Sequence, residues 1–460
     1  MKAWEHSREL LRHARPVVLS EEEQTWEEGA TFGARDDAAI NLFWGSNVPG
    51  SGAPESCAVA ALGAMENKGY ILPPYDDILS EGLAAREAGD MPALHIAHLR
   101  LWQCLRAARP DPEHPAQKSR RFATWEELDA EVTWPATQAV ALDDTFTDKI
   151  AAAWRGQLIG AAVGTALEGY TAAQLAQKFG PITDYVRKPN TFNDDITYEL
   201  CLLEAFAAKG PAVTSQDVAE LWVALVPSGW SAEQIALDHL HRGVLPPESG
   251  ALANPFDEWI GAQMRGAICG MLAPGNAREA ARLAWLDGQI SHTSNGILGE
   301  VFNAVLCARA FVETDMRKLT AEVVDLMPAD TDYGRVCRLA LDACLAAEEW
   351  KAAWAVCDAA LEQYHWIHAF PNAAAQIVAL WFGHESFDAM QQIICEIGHD
   401  ADCNAAQILC AYGIAHGQSV IDSRWTEPLG DRIVTYMRRP KEIAFDDLVA
   451  QTVDAVEAWA

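Results

Sequence analysis

Apolar residues recur every three to four positions over most of the chain after residue 146, and this spacing is typical of amphipathic helices. Strictly alternating apolar and polar residues, which would indicate β-strands, are rare. Alanine and glycine are frequent, as in 151–167, so we expect the helices to approach one another closely. The pattern therefore predicts an all-α fold for this part of the chain. The segments with helical spacing are 199–208, 258–272, 277–287, 297–313, 334–347, 350–364, 386–396 and 404–416.

The first 145 residues carry a less uniform pattern. Residues 91–108 (MPALHIAHLRLWQCLRAA) have the spacing of an amphipathic helix, whereas residues 29–52 are rich in loop-forming residues. Three prolines with interleaved charges in 108–121 predict a linker or an exposed loop. Thr147 is a suitable N-cap for the helix that follows. The predicted division is a mostly helical N-terminal region, 1–145, and a second domain, 146–460.

Composition and charge exclude several classes of protein. Half of the 460 residues are apolar and 22% are charged, which is typical of a folded globular protein. The net charge of −31 opposes binding to nucleic acid and to anionic membranes. The first residues lack the apolar stretch of a signal peptide, and no apolar run is long enough to span a bilayer, so we expect a cytoplasmic protein.

The cysteines do not predict a metal or disulfide framework of their own. There are eleven, scattered through segments with helical spacing, and none forms a CxxC pair. A zinc ribbon or a disulfide scaffold is therefore not expected. We expect most of them to be small core residues.

Adjacent aspartates occur at five places, so such a pair alone has little meaning. At a helix start each acid complements the helix dipole, which is worth about 0.3–1 kcal/mol. Two helix starts differ from this background because they concentrate further ligand-type residues. Residues 191–206 (TFNDDITYELCLLEAF) begin with Asn193, Asp194 and Asp195, and residues 398–417 (GHDADCNAAQILCAYGIAHG) begin with Asp400, Asp402 and Cys403.

If these two helix starts converge, their four carboxylates repel one another. One or two hard divalent cations with oxygen ligands would relieve that repulsion. A third element, residues 156–170 (GQLIGAAVGTALEGY), places glycines on one smooth helix face and ends in an acid, Glu168. The sequence thus predicts a metal centre built from separate helix ends.

These elements resemble the ADP-ribosylglycohydrolase family in their order along the chain. The small-residue helix that ends in an acid is followed by an acid pair at a helix start, by Ser-His-Thr at 291–293, and by GHDADCNAA at 398–406. Residues 425–433 (WTEPLGDRI) resemble the C-terminal portion of that family, and the whole resemblance covers roughly 148–437. It implies a compact, orthogonal multi-helix fold with a two-metal centre, usually of Mg²⁺ or Mn²⁺, at the base of a cleft.

The resemblance also implies cleavage of a ribosyl N- or O-glycosidic bond. The substrate would be a small ribosyl or nucleoside-like conjugate, or an ADP-ribosylated target. Asn193 and Cys403 stand where the family usually has threonine, and a cysteine ligand would favour Zn²⁺ or Fe²⁺. The implied catalytic residues are Glu168, Asp195 and Asp402. The implied metal ligands are Asn193, Asp194, Asp195, Asp400, Asp402 and Cys403.

Two further segments are candidates for substrate binding. The segment 291–300 (SHTSNGILGE) suits either a loop close to a ribose or a helix cap followed by a helix that tolerates glycine. The aromatic stretch 364–383 either lines the pocket and stacks on a base, or packs in the core. The predicted substrate-binding residues are His292, Asn295, Gly296, Gly299, Trp366 and His368.

Three functions remain open at this stage. The first is a divalent-metal-dependent glycoside hydrolase, the second a non-catalytic ligand-binding or structural protein with the same fold, and the third a zinc or iron hydrolase that uses Cys403. Metal analysis of the purified protein distinguishes them. The N-terminal region, 1–145, either covers the cleft and restricts it to small substrates or mediates oligomerisation.

Overall fold

A computed structural model describes residues 2–24 and 29–459 of the protein, and these residues form a mostly α-helical structure with a few short strands. The predicted all-α fold class is confirmed. The helices of the N-terminal region are α1 (Ala3–His13), α2 (Gly29–Trp44), α3 (Cys57–Asn67), α4 (Asp76–Ala88), α5 (Met91–Ala107), α6 (Pro115–Lys118) and α7 (Trp125–Glu131). The helices that follow are α8 (Asp144–Gly164), α9 (Ala172–Phe179), α10 (Asp195–Lys209), α11 (Ser215–Leu225), α12 (Ser231–Leu240), α13 (Glu248–Ala251), α14 (Ala267–Leu272), α15 (Ala277–Gly288), α16 (Ser294–Ala310), α17 (Met316–Leu326), α18 (Asp332–Ala346), α19 (Trp350–Leu361), α20 (Ala369–Phe382), α21 (Phe387–Ile397), α22 (Ala401–His416), α23 (Ser423–Leu429) and α24 (Phe445–Glu457).

The strands within the described residues are short and pair antiparallel, two by two. They are β1 (Ser46–Asn47) with β2 (Pro54–Glu55), β3 (Tyr70–Ile71) with β4 (Arg109–Pro110), and β5 (Arg432–Val434) with β6 (Glu442–Ala444). Short 3₁₀ turns complete the structure at Gly210–Ala212, Gln263–Arg265 and Gln418–Val420.

The glycine-rich face of α8 packs directly on the backbone of α22. A Cβ atom at Gly164 would lie 2.2 Å from the backbone nitrogen of Asp402, and one at Gly160 would lie 2.5 Å from the carbonyl carbon of Ala405. Adding a methyl group at such a position costs about 1–3 kcal/mol through overpacking. The small residues therefore hold the end of α8 against the start of α22, and Glu168 follows only four residues after Gly164.

Three local predictions are corrected by the structure. Helix α8 starts one turn before Thr147, because Asp143 caps it and accepts hydrogen bonds from the amides of Thr145 (2.9 Å) and Phe146 (3.2 Å). The predicted helix 258–272 is interrupted, and only Ala267–Leu272 is α-helical. Residues 29–52 are not all loop, because α2 occupies Gly29–Trp44 and buries the Trp44 side chain.

The N-terminal region shares a hydrophobic core with the rest of the protein. Two of its basic side chains also reach acids of the second part. The Lys68 Nζ lies 2.7 Å from the Asp257 Oδ1, and the Arg121 Nη1 lies 3.4 Å from the Glu258 Oε1. Both acids are buried. The predicted boundary near residue 146 falls within the first turn of α8, and the division into two domains stays a prediction.

We find no helix among the described residues that combines the length and the apolar character needed to cross a bilayer. The predicted linker at 108–121 contains β4 and α6, and otherwise has no regular structure.

Candidate metal centre

Glu168 and Asp400 are brought together by a short pairing of the segments that follow α8 and precede α22. The Gly169 amide donates to the His399 carbonyl (2.8 Å), and the His399 amide donates to the Tyr170 carbonyl (3.0 Å). Gly398 adopts φ = +79° and has no room for a Cβ atom, which would lie 2.1 Å from the Tyr170 carbonyl oxygen. Only glycine adopts this conformation readily while the two backbones remain this close.

The aspartates at the two helix starts do not cap their helices. Asp194 and Asp400 occupy the N-cap positions of α10 and α22, and neither side chain accepts a hydrogen bond from its helix. Other N-cap aspartates of the protein do so, including Asp143 and Asp315. Helix capping therefore does not account for the carboxylates of Asp194 and Asp400.

The side chains from the two helix starts converge in a buried cluster. The exposed fractions of Asp195, Asp400 and Asp402 are 0%, 5% and 4%. One ligand atom from each of Asp400, Asp402 and Cys403 can be chosen so that all three lie within 4.8 Å of one another. The Oδ1 atoms of Asn193, Asp195, Asp400 and Asp402 are buried and have no hydrogen-bond partner among the described residues.

Burial and mutual repulsion raise the pKa values in this cluster. For Asp195 burial has the largest effect, followed by the charges of Asp402 and Asp194. The pKa of Asp400 is likewise raised, first by burial and then by Asp402, and the pKa of Asp402 is raised to about 6 by burial and then Asp194. Like charges in a dry site cannot all ionise without a compensating cation.

Glu168 belongs to the same electrostatic group. Its amide donates to the Gly164 carbonyl (3.0 Å), which extends the last turn of α8 as far as Glu168. Burial raises the pKa of its carboxyl well above the usual range, and the charges of Asp402 and Asp400 raise it further. A carboxyl with a raised pKa can hold or transfer a proton near neutral pH.

The donor atoms of the cluster fit a hard divalent cation. Most of them are carboxylate oxygens, and Cys403 Sγ lies among them. The amide oxygen of Asn193 is a further donor, because its Nδ2 donates to Asp195 Oδ2 (2.9 Å) and leaves Oδ1 free. Oxygen donors with a high density of negative charge are the ligands of Mg²⁺, Mn²⁺ and Ca²⁺. The cluster can therefore hold a divalent metal, as its residue types predicted.

Cys403 contributes a thiol rather than a thiolate to this site. Burial raises its pKa well above the usual range, and the charge of Asp195 raises it further. Its Sγ lies 3.8 Å from the Met264 Sδ. A bound metal would itself deprotonate a coordinating thiol, and Cys403 lies together with Asp400 and Asp402, so its role as a ligand stays a prediction.

Asn372 links the start of α22 to the aromatic segment, and the sequence did not single it out. Its Nδ2 donates to the carbonyls of Trp366 (2.7 Å) and His368 (2.8 Å), while its Oδ1 accepts from the Asp400 amide (3.2 Å) and from Asn404 Nδ2 (2.7 Å). The side chain is fully buried. A polar residue within the apolar run FPNAAAQ was the only signal for it.

The structure places the predicted substrate-binding residues in two groups. Trp366 is half-buried, and a Cβ atom at Gly169 would lie 3.6 Å from its ring, so Trp366 lies beside Glu168. His368 is buried and accepts a hydrogen bond from the Phe370 amide (3.2 Å), and burial lowers the pKa of His368 to about 3. Only Trp366 of this pair is partly exposed.

The second group lies in the core around the start of α16. The Asn295 Nδ2 donates to Glu258 (2.9 Å), and its Oδ1 accepts from the Tyr333 amide (3.2 Å). Gly296 and Gly299 leave no room for a Cβ atom, which would contact Asp257 and Gln263 respectively. These contacts are those of a helix start followed by tightly packed glycines, which is one of the two alternatives for segment 291–300. Substrate binding by these residues stays a prediction.

His292 is also buried in this second group. Its Nδ1 lies 2.8 Å from the Ser291 Oγ, and its Nε2 lies 4.0 Å from Glu233 Oε1. Burial and the charge of Arg265 lower its pKa well below the usual range. The His292 side chain is neutral and has almost no exposed surface (1%). Its role in substrate binding stays a prediction.

A second cluster of buried acids, which the sequence did not indicate, surrounds Arg265. The Arg265 Nη1 lies 3.2 Å from Glu233 Oε1, its Nε donates to Asp287, and its Nε lies 3.7 Å from Glu300 Oε2. The guanidinium also lies 4.9 Å from the centre of the Trp222 ring. This cluster contains its own cation.

Residues 142–456 match the family model described as ADP-ribosylglycohydrolase. Among solved structures, a chain of an "ADP-ribosylglycohydrolase-related protein complex" is similar with a TM-score of 0.47 and 18% identity, and the match covers 68% of this chain and 99% of that chain. None of the curated proteins matches this chain.

Proposed function

The chain belongs to the ADP-ribosylglycohydrolase family, a family of hydrolases, and from this premise we propose that it is a divalent-metal-dependent glycoside hydrolase. The bond cleaved is an N- or O-glycosidic bond of a ribosyl group. The substrate is an ADP-ribosyl group or a smaller, nucleoside-like ribosyl conjugate. Mg²⁺ and Mn²⁺ are the proposed cofactors.

The observation that carries the proposal is the uncompensated charge of the aspartate cluster. Asp195, Asp400 and Asp402 are buried, they have free oxygens, and they form no ion pair with a basic side chain in the part of the chain that the structure describes. A buried charge without a partner is strongly destabilising. The arrangement is therefore best understood as a site for a cation, which would be held by Asp194, Asp195, Asp400, Asp402 and Asn193.

A divalent cation at this site would supply Lewis-acid chemistry, polarising a bound water and orienting the hydroxyl groups of the ribose. Glu168 lies next to the cluster and takes the proton of the attacking water at its carboxylate. Trp366 lies beside Glu168 and presents a ring face to the sugar or base. Asn372 fixes the Asp400 amide and the 366–368 backbone relative to each other, so these groups keep their positions.

The chemical state of Glu168 suits this role. Its raised pKa makes it a better base than an exposed carboxylate, and a bound cation would lower that pKa toward the range in which it is ionised at neutral pH. The proposed reaction transfers the hydroxyl of water to the anomeric carbon while the bond to the leaving-group oxygen or nitrogen breaks. That atom takes the electron pair of the bond and receives the proton that Glu168 took from the water. The transition state then has the character of an oxocarbenium ion.

The test is a hydrolysis screen of ribosyl conjugates with Mg²⁺, Mn²⁺ and Zn²⁺, in which released ribose or ADP-ribose is measured. The wild type is expected to be active with Mg²⁺ or Mn²⁺, and Glu168→Gln is expected to lose hydrolysis while it still binds metal. The double variant Asp400→Ala and Asp402→Ala should lose both. Full activity of that variant, or of the wild type in excess EDTA, would contradict the proposal.

A matched control is available at another helix start. Asp446 and Asp447 form an adjacent acid pair in the first turn of α24, and both side chains are exposed. Changing them to Ala is expected to leave metal binding and hydrolysis unchanged. Metal binding without hydrolysis of any conjugate would instead support a non-catalytic, ligand-binding protein.

We also propose that this hydrolase works in the cytoplasm. All eleven cysteines are buried free thiols, including Cys307 and Cys410, whose sulfurs lie 3.9 Å apart without a bond. Unpaired cysteines suit a reducing compartment. Fractionation of cells that produce the protein would test this location.

A further inference from the structure

The loop between β1 and β2 of the N-terminal region lies on the candidate active site. We call residues 48–53 the covering loop. It is a tight turn in which the Val48 amide donates to the Ala53 carbonyl (2.8 Å) and the Gly52 amide donates to the Val48 carbonyl (2.8 Å). Gly50 is at its tip. A Cβ atom there would lie 2.2 Å from the Thr165 carbonyl oxygen and 2.6 Å from Glu168 Oε1.

The covering loop contacts both segments that lead to the metal centre. The Tyr170 hydroxyl donates to the Ser51 carbonyl (3.3 Å), which joins the loop to the segment after α8. Arg187, in the segment that precedes Asp194, donates to the Gly50 carbonyl. The Ala53 side chain lies against Gly169, where a Cβ atom would be 2.6 Å away. The loop thus lies across the site beside Glu168.

Buried contacts hold the rest of the N-terminal region in place behind this loop. The ammonium of Lys68 is buried and pairs with Asp257, which also accepts a hydrogen bond from Thr293 Oγ1 (2.7 Å). Breaking a buried pair leaves an uncompensated charge and is strongly destabilising. The Lys68 pair therefore anchors the region from which the covering loop extends, and the loop itself is held by its bonds to Tyr170 and Arg187.

We propose that the covering loop makes the site selective for ribosyl conjugates with a small leaving group and excludes an ADP-ribosyl group attached to a folded protein. This inference rests on the proposed hydrolase function. Bond cleavage requires the anomeric carbon to lie within reach of Glu168, and the loop already contacts that carboxylate. A folded acceptor protein would have to approach across the same space. Gly50 is the specificity-determining residue, since any side chain there displaces the loop.

The experiment compares each linkage on two acceptors, a free amino acid and a folded protein. ADP-ribosylated free arginine and free serine are compared with folded proteins that carry the same linkages, and kcat/KM is measured for each with Mg²⁺ or Mn²⁺. The wild type is expected to prefer the free amino-acid conjugate by about 100-fold or more. Gly50→Val is expected to reduce this preference at least tenfold, about one unit of log(kcat/KM).

Two further variants make the outcome specific. Gly63→Val is the matched control, because it also lies in the N-terminal region and a Cβ atom there meets no atom within 4 Å. It is expected to keep the wild-type preference. Arg187→Ala removes the contact to Gly50 from an exposed side chain, so it keeps the fold and should weaken the preference in the same direction as Gly50→Val.

Calorimetry separates this inference from the proposed function. Free ADP-ribose is expected to bind the metal-loaded wild type, whereas an ADP-ribosylated folded protein is expected not to bind, even if no hydrolysis is seen. Three results would overturn the inference. The first is equal binding of free ADP-ribose and the ADP-ribosylated folded protein, and the second is an equal kcat/KM of the wild type for the two acceptors. The third is an unchanged preference in Gly50→Val and also in Arg187→Ala. Absence of hydrolysis for every conjugate counts against the proposed function, while the binding comparison still decides the role of the loop.

Discussion

Two clusters of buried acids lie in the core of this protein, and they differ in where their countercharge comes from. In the first, Glu233, Asp287 and Glu300 surround Arg265, whose exposed fraction is 1%. In the second, Asp194, Asp195, Asp400 and Asp402 converge without a basic side chain among the described residues. The first cluster contains a cation of its own, whereas the second has no basic side chain among the described residues.

The pKa values follow this difference. Burial raises the pKa of Glu233 to about 7, but the charge of Arg265 acts in the opposite direction. For Asp195 burial is followed by the charges of two further aspartates, which raise the pKa again. A buried acid is therefore a poor indicator of a ligand site by itself. What distinguishes the aspartate cluster from the Arg265 cluster is that no basic side chain among the described residues lies within it.

The largest expected effect is the loss of the internal cation. Arg265→Met should lower the free energy of unfolding by about 3–5 kcal/mol, because it leaves Asp287 and Glu233 buried without a partner. Urea denaturation measures this change, and added Mg²⁺ should not reverse it. Arg100→Met is the control, because its pair with Glu81 is exposed on both sides (51% and 58%) and such pairs contribute about 0–1 kcal/mol. Equal losses of unfolding free energy in the two variants would show that Arg265 contributes no more than a surface ion pair. The contrast between the two clusters would then fail.

The next effect is stabilisation of the second cluster by metal. At a free Mg²⁺ or Mn²⁺ concentration of 100 times Kd, the wild type should gain about 2.7 kcal/mol of stability. Asp400→Asn with Asp402→Asn should abolish this gain and leave the metal-free protein as stable as the wild type or more stable, since repulsion is removed. Thermal unfolding with EDTA or metal measures both quantities. A metal-free double variant that is much less stable would show that these acids have internal partners.

A third effect is the pH dependence of metal binding. The pKa of Asp402 in the metal-free protein is about 6, above the value of about 3.9 in an unfolded chain. Below pH 6 protons compete with the cation, so Mg²⁺ affinity should fall by up to about tenfold per pH unit, or about 1.4 kcal/mol. Calorimetry at pH 5, 6 and 7 measures this. An affinity that is constant over this range would contradict binding through Asp402.

The same shift sets the sign of the stability change without metal. Between about pH 3.9 and about pH 6, the folded protein holds a proton on Asp402 that the unfolded chain has released. The contribution of Asp402 to the stability of the metal-free protein should therefore decrease as the pH rises through this window. The control is the Asp402→Asn variant, which has no carboxyl to titrate at this position. The free energy of unfolding of both proteins is measured by denaturation in EDTA across this pH range.

The smallest expected effect is that of Cys403→Thr. The thiol is protonated and lies against Met264, so the stability should change by less than about 1 kcal/mol and Mg²⁺ affinity by less than tenfold. Cys403→Ser serves as a second replacement of similar size. Metal analysis and calorimetry with Mg²⁺ and Zn²⁺ provide the measurement. A large loss of Zn²⁺ binding in both variants would favour the zinc or iron hydrolase.

Several features of the site could be predicted from local sequence because they depend on local chemistry. The helical spacing predicted α10 and α22, and the acids at their starts stood out because ligand-type residues were concentrated there. The smooth face of α8 was visible as glycines at positions 156, 160 and 164. By contrast, Arg265 and its three acids are scattered from residue 233 to residue 300 and share no motif. Asn372 was missed for the same reason, because its partners are distant in sequence.

The sequence alone therefore determined the fold class and most of the helices after residue 146, and it predicted the aspartates that are proposed as metal ligands. The tertiary structure decided which acids lie together, because the pairing of residues 169–171 with 398–399 brings Glu168 to the aspartates. It also placed the covering loop against Glu168. Charge compensation, pKa and access depend on distances of a few ångströms and on burial, and these quantities exist only when the chain is folded.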